Sequence, residues 1–201
     1  MSQALFPPLW LSVDIAERCF HILNLDHPEI SARILSDIDA GTAVYYDRRW
    51  SLTDRFCRFL LAEPAWVAGR TVLILGAGVG LETLVIGSLC DKLYINDLSP
   101  VALELCARQL FQNGVVEVTC LPGRYEHLVL PPVDLLVGCF LVYHRDSASA
   151  MRHLLERRTP PVLLMNDNMT SLHTLVRKTS RQVRSLLPVG DIPCFLFTAA
   201  A

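Results

Sequence analysis

Thr71-Val72-Leu73-Ile74-Leu75-Gly76-Ala77-Gly78-Val79-Gly80 is the stretch on which the fold turns. Five residues run with no charged break and stop on glycines. A strand buried on both faces of a parallel sheet reads this way, whereas a half-exposed strand would alternate polar and apolar. The glycines let the chain turn tightly and let backbone approach a ligand closely. Residues 81–90 then have helical composition, so a helix opens directly behind the loop with its first N–H groups free.

Downstream, strands and helices alternate. Lys92-Leu93-Tyr94-Ile95-Asn96-Asp97 is a second strand. Ser99 suits an N-cap, Pro100 a first helical position, and Asn113-Gly114 a stop. Further strands are expected at 115–120, 133–137 and 161–165, with helices at 151–157 and near 172–180. Residues 183–188 and 193–197 are close enough to form a terminal strand pair. Upstream, apolar spacing predicts helices at 10–23 and 28–40, the second starting at Pro28 and stopping at Gly41. A third helix, 53–61, leads to Glu63-Pro64. This order predicts an α/β fold: a doubly wound, mostly parallel sheet over 49–201 and a helical extension over 1–48. Ligands of such sheets bind beyond the carboxyl ends of the strands.

Composition narrows the function. The chain has 201 residues, of which 52% are hydrophobic and 19% charged, with a net charge of −2. Its mean hydropathy is +0.36 and its pI about 6.3. A disordered chain would be more polar, and a phosphate-driven nucleic-acid binder more basic. The apolar runs are strand-length, far short of the ~20 residues of a membrane span, and the first residues lack a basic signal-peptide start. Seven cysteines, at 19, 57, 90, 106, 120, 139 and 194, include no Cys-x-x-Cys pair. They read as free thiols in a reducing compartment, the cytoplasm. His144 and His153 have no further ligand at metal spacing, so no metal site is expected.

The glycine loop and Asp97 together suggest an adenosine-type ligand, with the carboxylate accepting ribose hydroxyls. The structural alternative is a tight turn beside a solvated aspartate. Dinucleotide enzymes favour Gly-x-Gly-x-x-Gly. Here the third glycine is Gly80 and Leu81 stands where the dinucleotide pattern has one, which favours S-adenosylmethionine.

The loop 72–80, the pair Asn96-Asp97 and Ser99-Pro100 resemble class I S-adenosylmethionine-dependent methyltransferases. The segment 58–64, then Gly69-Arg70-Thr71-Val72-Leu73, with Tyr45, Tyr46 and Trp50 before it, is similar to seven-strand protein-lysine methyltransferases. The nearest group is that of the electron transfer flavoprotein β-subunit lysine methyltransferases. The similarity covers about 45–197. It implies a Rossmann-like seven-stranded sheet, S-adenosylmethionine as cofactor and a protein lysine as acceptor. It implies cofactor contacts from Gly76, Ala77, Gly78, Gly80, Asn96, Asp97, Leu98 and Gly138. Three acids of the family pattern are replaced, at Ile74, Arg124 and Phe140.

Methyl transfer from a sulfonium is an in-line displacement, so alignment and exclusion of water dominate. Tyr143 matches a family tyrosine and could orient the acceptor, or be a packed aromatic. The polar cluster Asn166-Asp167-Asn168, after the fifth strand, could hold the amine in place of the missing acid, or form a turn. Trp50, Phe140 and His144 are the other substrate candidates. Phe140 could face a cation or fill core, and His144 could be a base or a surface residue. Asp146 reads as a helix cap. Glu82 could complement a helix dipole, or face the methionine amino group in place of the acid lost at Ile74. The run Arg177-Lys178, Arg181, Arg184 reads as a solvated helix face, or a docking surface for an acidic partner. The expected function is methyl transfer to a protein lysine, in a monomer with no nucleic-acid or membrane partner. The alternatives are a catalytically degenerate binding module on the same fold and a small-molecule methyltransferase.

Overall fold

In the computed structural model, residues 7–157, 159–167, 170–186 and 193–199 are described. The central strands are β3 (Thr71–Leu75), β4 (Lys92–Asp97), β5 (Val118–Pro122), β6 (Leu135–Cys139), β7 (Val162–Met165), β8 (Gln182–Leu186) and β9 (Cys194–Thr198). They form one sheet in the order β5-β4-β3-β6-β7-β9-β8. Pairs among β3 to β7 are parallel, and β9 runs antiparallel to both β7 and β8. Strand order reverses between β4–β3 and β6, which opens a crevice at the end of β3.

The continuous apolar run of β3 is used on both faces. Val72 and Ile74 join one core, and Leu73 and Leu75 the other. The first core is closed by α2 (Ser51–Ala62), α3 (Leu81–Gly87) and α4 (Pro100–Gln112), through residues such as Phe56, Leu60, Leu84 and Cys106. The second is closed by α5 (Arg145–Glu156) and α6 (Thr170–Lys178), through Met151, Leu154 and Leu172. The expected seven-stranded, mostly parallel sheet is present, with Ser99 capping α4 by accepting from the Ala102 amide at 2.9 Å.

The N-terminal region departs from the expectation. Residues 10–23 are not a helix but a hairpin, β1 (Trp10–Ile15) and β2 (Arg18–Leu23), in antiparallel register from Trp10↔Leu23 to Ile15↔Arg18. Its two-residue turn, Ala16 and Glu17, has φ of 47° and 66°. Both are left-handed positions that normally select Asn or Gly, so the turn carries no sequence signal. The strain, about 1–2 kcal/mol per residue, is offset by docking. Gln109 Oε1 accepts from the Leu23 amide at 2.8 Å, and Asn113 brackets His21 by accepting from its N–H at 2.9 Å and donating to its carbonyl at 2.7 Å. Two amides one helical turn apart thus satisfy alternate residues along the open edge of β2, as a further strand would. The helix α1 (Pro28–Asp39) follows as expected.

Other boundaries shift for local reasons. Gly114, at φ +81°, reverses the chain after α4, and β5 begins three residues later than expected. The helix α5 starts at Arg145, ahead of the expected 151, because His144 caps it. The run 177–184 is not one helix face. Arg181 lies beyond α6 and donates to the carbonyls of Leu155, Arg157 and Thr159 at 2.9, 2.8 and 3.1 Å, closing the end of α5. Residues 187–188 of the expected terminal strand, Asn168 and the first six residues lie outside the described residues. No helix among the described residues is long and apolar enough to cross a membrane.

Candidate functional site

A cleft of about 1130 Å³ opens at the carboxyl ends of β3, β4 and β6, walled by the hairpin and by residues 43–50. Its floor is the glycine loop. Gly76 and Gly78 have φ of +57° and +51°. A Cβ on Gly76 would lie 2.5 Å from Leu141 Cδ2, and one on Gly78 would lie 3.3 Å from Tyr46 Cβ. A Cβ is therefore excluded at positions 76 and 78 by backbone conformation and by space. The Ala77 amide donates to the Asn96 carbonyl at 2.8 Å, which ties the loop to β4.

Asp97 stands at the end of β4. Its Oδ2 accepts from the Gly78 amide and its Oδ1 from the Ser99 amide, both at 2.9 Å. Burial pushes its carboxyl up from the ordinary range, and these backbone donors oppose that shift. Asn96, beside it, donates to the carbonyls of Leu121 and Gly123 at 2.7 Å each. Its Oδ1 is buried and has no partner. A second network holds this end from outside. Tyr46 donates its hydroxyl to Asp37 at 2.5 Å, and Ser99 Oγ donates to the same carboxylate oxygen.

The other end of the cleft is aromatic. Trp50 stacks on Phe140 at 4.6 Å, Phe140 on Tyr143 at 5.9 Å, and Tyr45 tilts against Tyr143 at 5.3 Å. Phe140 has φ +56°, a strained position for a residue with a Cβ, and its amide donates to the Met165 carbonyl at 2.8 Å. The Tyr143 phenol is pushed up to about 12, first by burial and then by Tyr45. It remains protonated at neutral pH.

Glu82, in the first turn of α3, also lines this end and is only 6% exposed. Burial pushes its carboxyl up to about 7, against its own amide and the Thr53 hydroxyl. Its Oε2 is unpartnered. The carboxylate lies against Gly80, where a Cβ would come within 2.5 Å of it. A side chain at Gly80, which has no positive φ, would therefore have to displace the Glu82 carboxylate.

The structure gathers most of the expected residues. Gly76, Ala77, Gly78, Gly80, Asn96, Asp97 and Leu98 line the cleft, as do Trp50, Phe140, Tyr143 and His144. His144 is engaged as the α5 cap, its Nδ1 accepting from the Ser147 amide at 3.0 Å, so the cap expected of Asp146 falls two residues earlier. Three candidates are not gathered. Gly138 sits beneath the loop, where a Cβ would meet Leu141 Cδ1 at 2.7 Å. Asn166 is fully buried and clamps Val142, accepting from its amide at 2.8 Å and donating to its carbonyl at 2.9 Å. Asp167 is exposed and does not line the cleft. The sequence reading did not single out Glu126, buried at the cleft and paired with Arg124 at 2.6 Å, nor the hairpin wall. An acid thus lies at the cleft two residues beyond Arg124, where a fixed-position motif does not look.

No family model matches this sequence. It is similar to a mouse histone-arginine methyltransferase (METTL23), 25% identical over 69% of this chain and 58% of that protein. It is also similar to the mouse electron transfer flavoprotein beta subunit lysine methyltransferase, 27% identical over 62% of this chain and 53% of that one. The match therefore spans a little over half the length of these relatives. Among solved structures, a Thermus thermophilus 16S rRNA methyltransferase (RsmC), in complex with AdoMet and guanosine, superposes with TM-score 0.66 over 96% of this chain and 52% of that one, at 18% identity. The magnesium protoporphyrin IX methyltransferase (ChlM) of Synechocystis, with SAM bound, gives 0.55 over 83% and 84%, at 14% identity. The resemblance to class I S-adenosylmethionine-dependent methyltransferases holds in sequence and in fold, and S-adenosylmethionine is the cofactor that goes with it. The donor set fits such a group: a loop whose backbone is bare at Gly76 and Gly78, a carboxylate at the end of β4 and an unpartnered amide oxygen beside it.

Proposed function

We propose that this chain is an S-adenosylmethionine-dependent methyltransferase that modifies a basic side chain of a protein, lysine first. The observation that carries the reading is a single cleft with the glycine loop and Asp97 at one end and the rings of Tyr45, Trp50, Phe140 and Tyr143 at the other. When bound, the cofactor supplies an electrophilic methyl on a sulfonium. The chain's residues do the rest. The Gly76–Gly80 backbone gives close approach, Asp97 accepts hydroxyl donors, and Asn96 Oδ1 accepts a donor of the base. The four rings hold an alkylammonium by cation–π attraction and keep water out. Tyr143 orients the amine by hydrogen bonding but, with its phenol pushed up to about 12, does not remove the proton. Asp146, exposed at the cleft, accepts it.

Both mouse relatives are named for methylation of a protein arginine or lysine, which supports a basic side chain as acceptor. A net charge of −2 supports a basic peptide over a nucleic acid. Seven free cysteines support a reducing compartment such as the cytoplasm. One observation favours a second reading, a binding module without turnover: Phe140 and not a carboxylate follows β6.

The test is transfer of labelled methyl from S-adenosylmethionine into the proteins of a cell extract, followed by hydrolysis and amino-acid analysis. The expected product is methyl-lysine, reduced at least about tenfold by Trp50→Ala, the scale of one lost desolvated cation–π contact. Label in small molecules, or none despite cofactor binding, would replace the reading by one of its alternatives.

A further inference from the structure

Buried or half-buried carboxylates stand in or against the cleft, and their partners differ: Asp47 is paired with Arg48 at 3.0 Å. Asp97 accepts backbone amides, Asp37 accepts two hydroxyls, and Glu126 is paired with Arg124. Among the described residues, Glu82 is the carboxylate with a fully buried oxygen that has no partner. No Lys or Arg lies within ion-pair distance of it among the described residues. The charged neighbour that bears on it, Asp54, repels it. The other groups around it are the Thr53 hydroxyl and the thiols of Cys57, Cys106 and Cys139, none of them cationic.

A desolvated carboxylate without a cation is costly, and its open acceptor calls for a charged donor. We infer that Glu82 is the counter-ion for the primary ammonium at the amino-acid end of the cofactor, an inference that rests on the S-adenosylmethionine reading above. One consequence of that reading and two observations point there. With Asp97 and Asn96 assigned to the nucleoside end, the amino-acid end extends across the loop. Thr53, Glu82 and Cys139 line the cleft on that far side. The carboxylate is packed against Gly80, the last glycine of the loop, where a side chain would displace it. A sulfonium donates no hydrogen bond, whereas a primary ammonium donates three. The carboxylate lies on helix α3 rather than in the strand at 74, where Ile74 is packed into the core.

The test is calorimetric titration of wild type and E82Q with S-adenosylhomocysteine and with 5′-methylthioadenosine, which keeps the thioether nucleoside and lacks the amino-acid end. E82Q is expected to weaken S-adenosylhomocysteine by about 10–100-fold, the scale of one charged hydrogen bond, and to leave methylthioadenosine unchanged. Its Tm without ligand should be no lower than wild type, because a neutral amide is easier to bury. Equal weakening of both nucleosides, no weakening of either, or a lowered Tm would overturn the assignment. Failure of wild type to bind either nucleoside would overturn instead the cofactor reading beneath it.

Discussion

The two ends of the cleft are built from different materials. Around Asp97 nearly every polar atom is spent on backbone: two amides on the carboxylate, two carbonyls on Asn96, and a loop amide on the Asn96 carbonyl. Around Phe140 and Glu82 the surroundings are rings, thiols and one half-satisfied carboxylate. The first end is fixed by the fold and would change little on binding. The second carries a buried carboxylate oxygen without a partner and a strained φ in the free protein. On the proposed reading, the first end would seat the nucleoside, with Asn96 Oδ1 as its open acceptor, and the second would seat the cation.

The largest expected effect breaks that contrast at Glu82. Its carboxyl is pushed up by burial from 4.5 to about 7 in the folded chain. The folded state therefore binds more protons than the unfolded state between those values. Stability present below about pH 4.5 is lost as pH rises through about 7. E82Q removes this loss. Above pH 8 and without ligand it should be more stable than wild type by about 3 kcal/mol, with the gap closing toward pH 5. Urea unfolding at several pH values measures it, and a gap that does not change with pH would contradict the buried, unpaired carboxylate.

A smaller effect sharpens the contrast at Phe140. Glycine tolerates φ +56° and alanine does not, while both remove the stacking on Trp50 and Tyr143. Phe140→Gly should therefore be more stable than Phe140→Ala by about 1 kcal/mol. The opposite order, read from the same unfolding curves, would mean that the backbone there is unstrained.

What the sequence revealed follows the same division. Continuous burial on both faces wrote β3 as an unbroken apolar run, and capping chemistry wrote the start of α4 at Ser99-Pro100. The glycine loop and Asp97 were legible for the same reason, since backbone turns and strand ends demand particular residue types. The hairpin was not legible. Its turn uses Ala16 and Glu17, and its open edge is satisfied by Gln109 and Asn113 from a helix some ninety residues away. Asn166 and Asp167 looked alike as polar residues after a strand, yet one clamps Val142 in the core and the other is exposed. Side-chain amides do not announce which backbone they will bind. Glu82 was visible as an acid after the loop, but its burial and missing partner are tertiary facts.

The central claim is that the loop and Asp97 hold S-adenosylmethionine. The most direct measurement is calorimetric titration of the wild-type chain with that compound, repeated with Asp97→Asn, which keeps one acceptor oxygen for the fold and removes the charge. The account predicts micromolar binding by wild type and a loss of at least about tenfold in the variant. Equal affinity in both proteins, or no binding by the wild type, would contradict it.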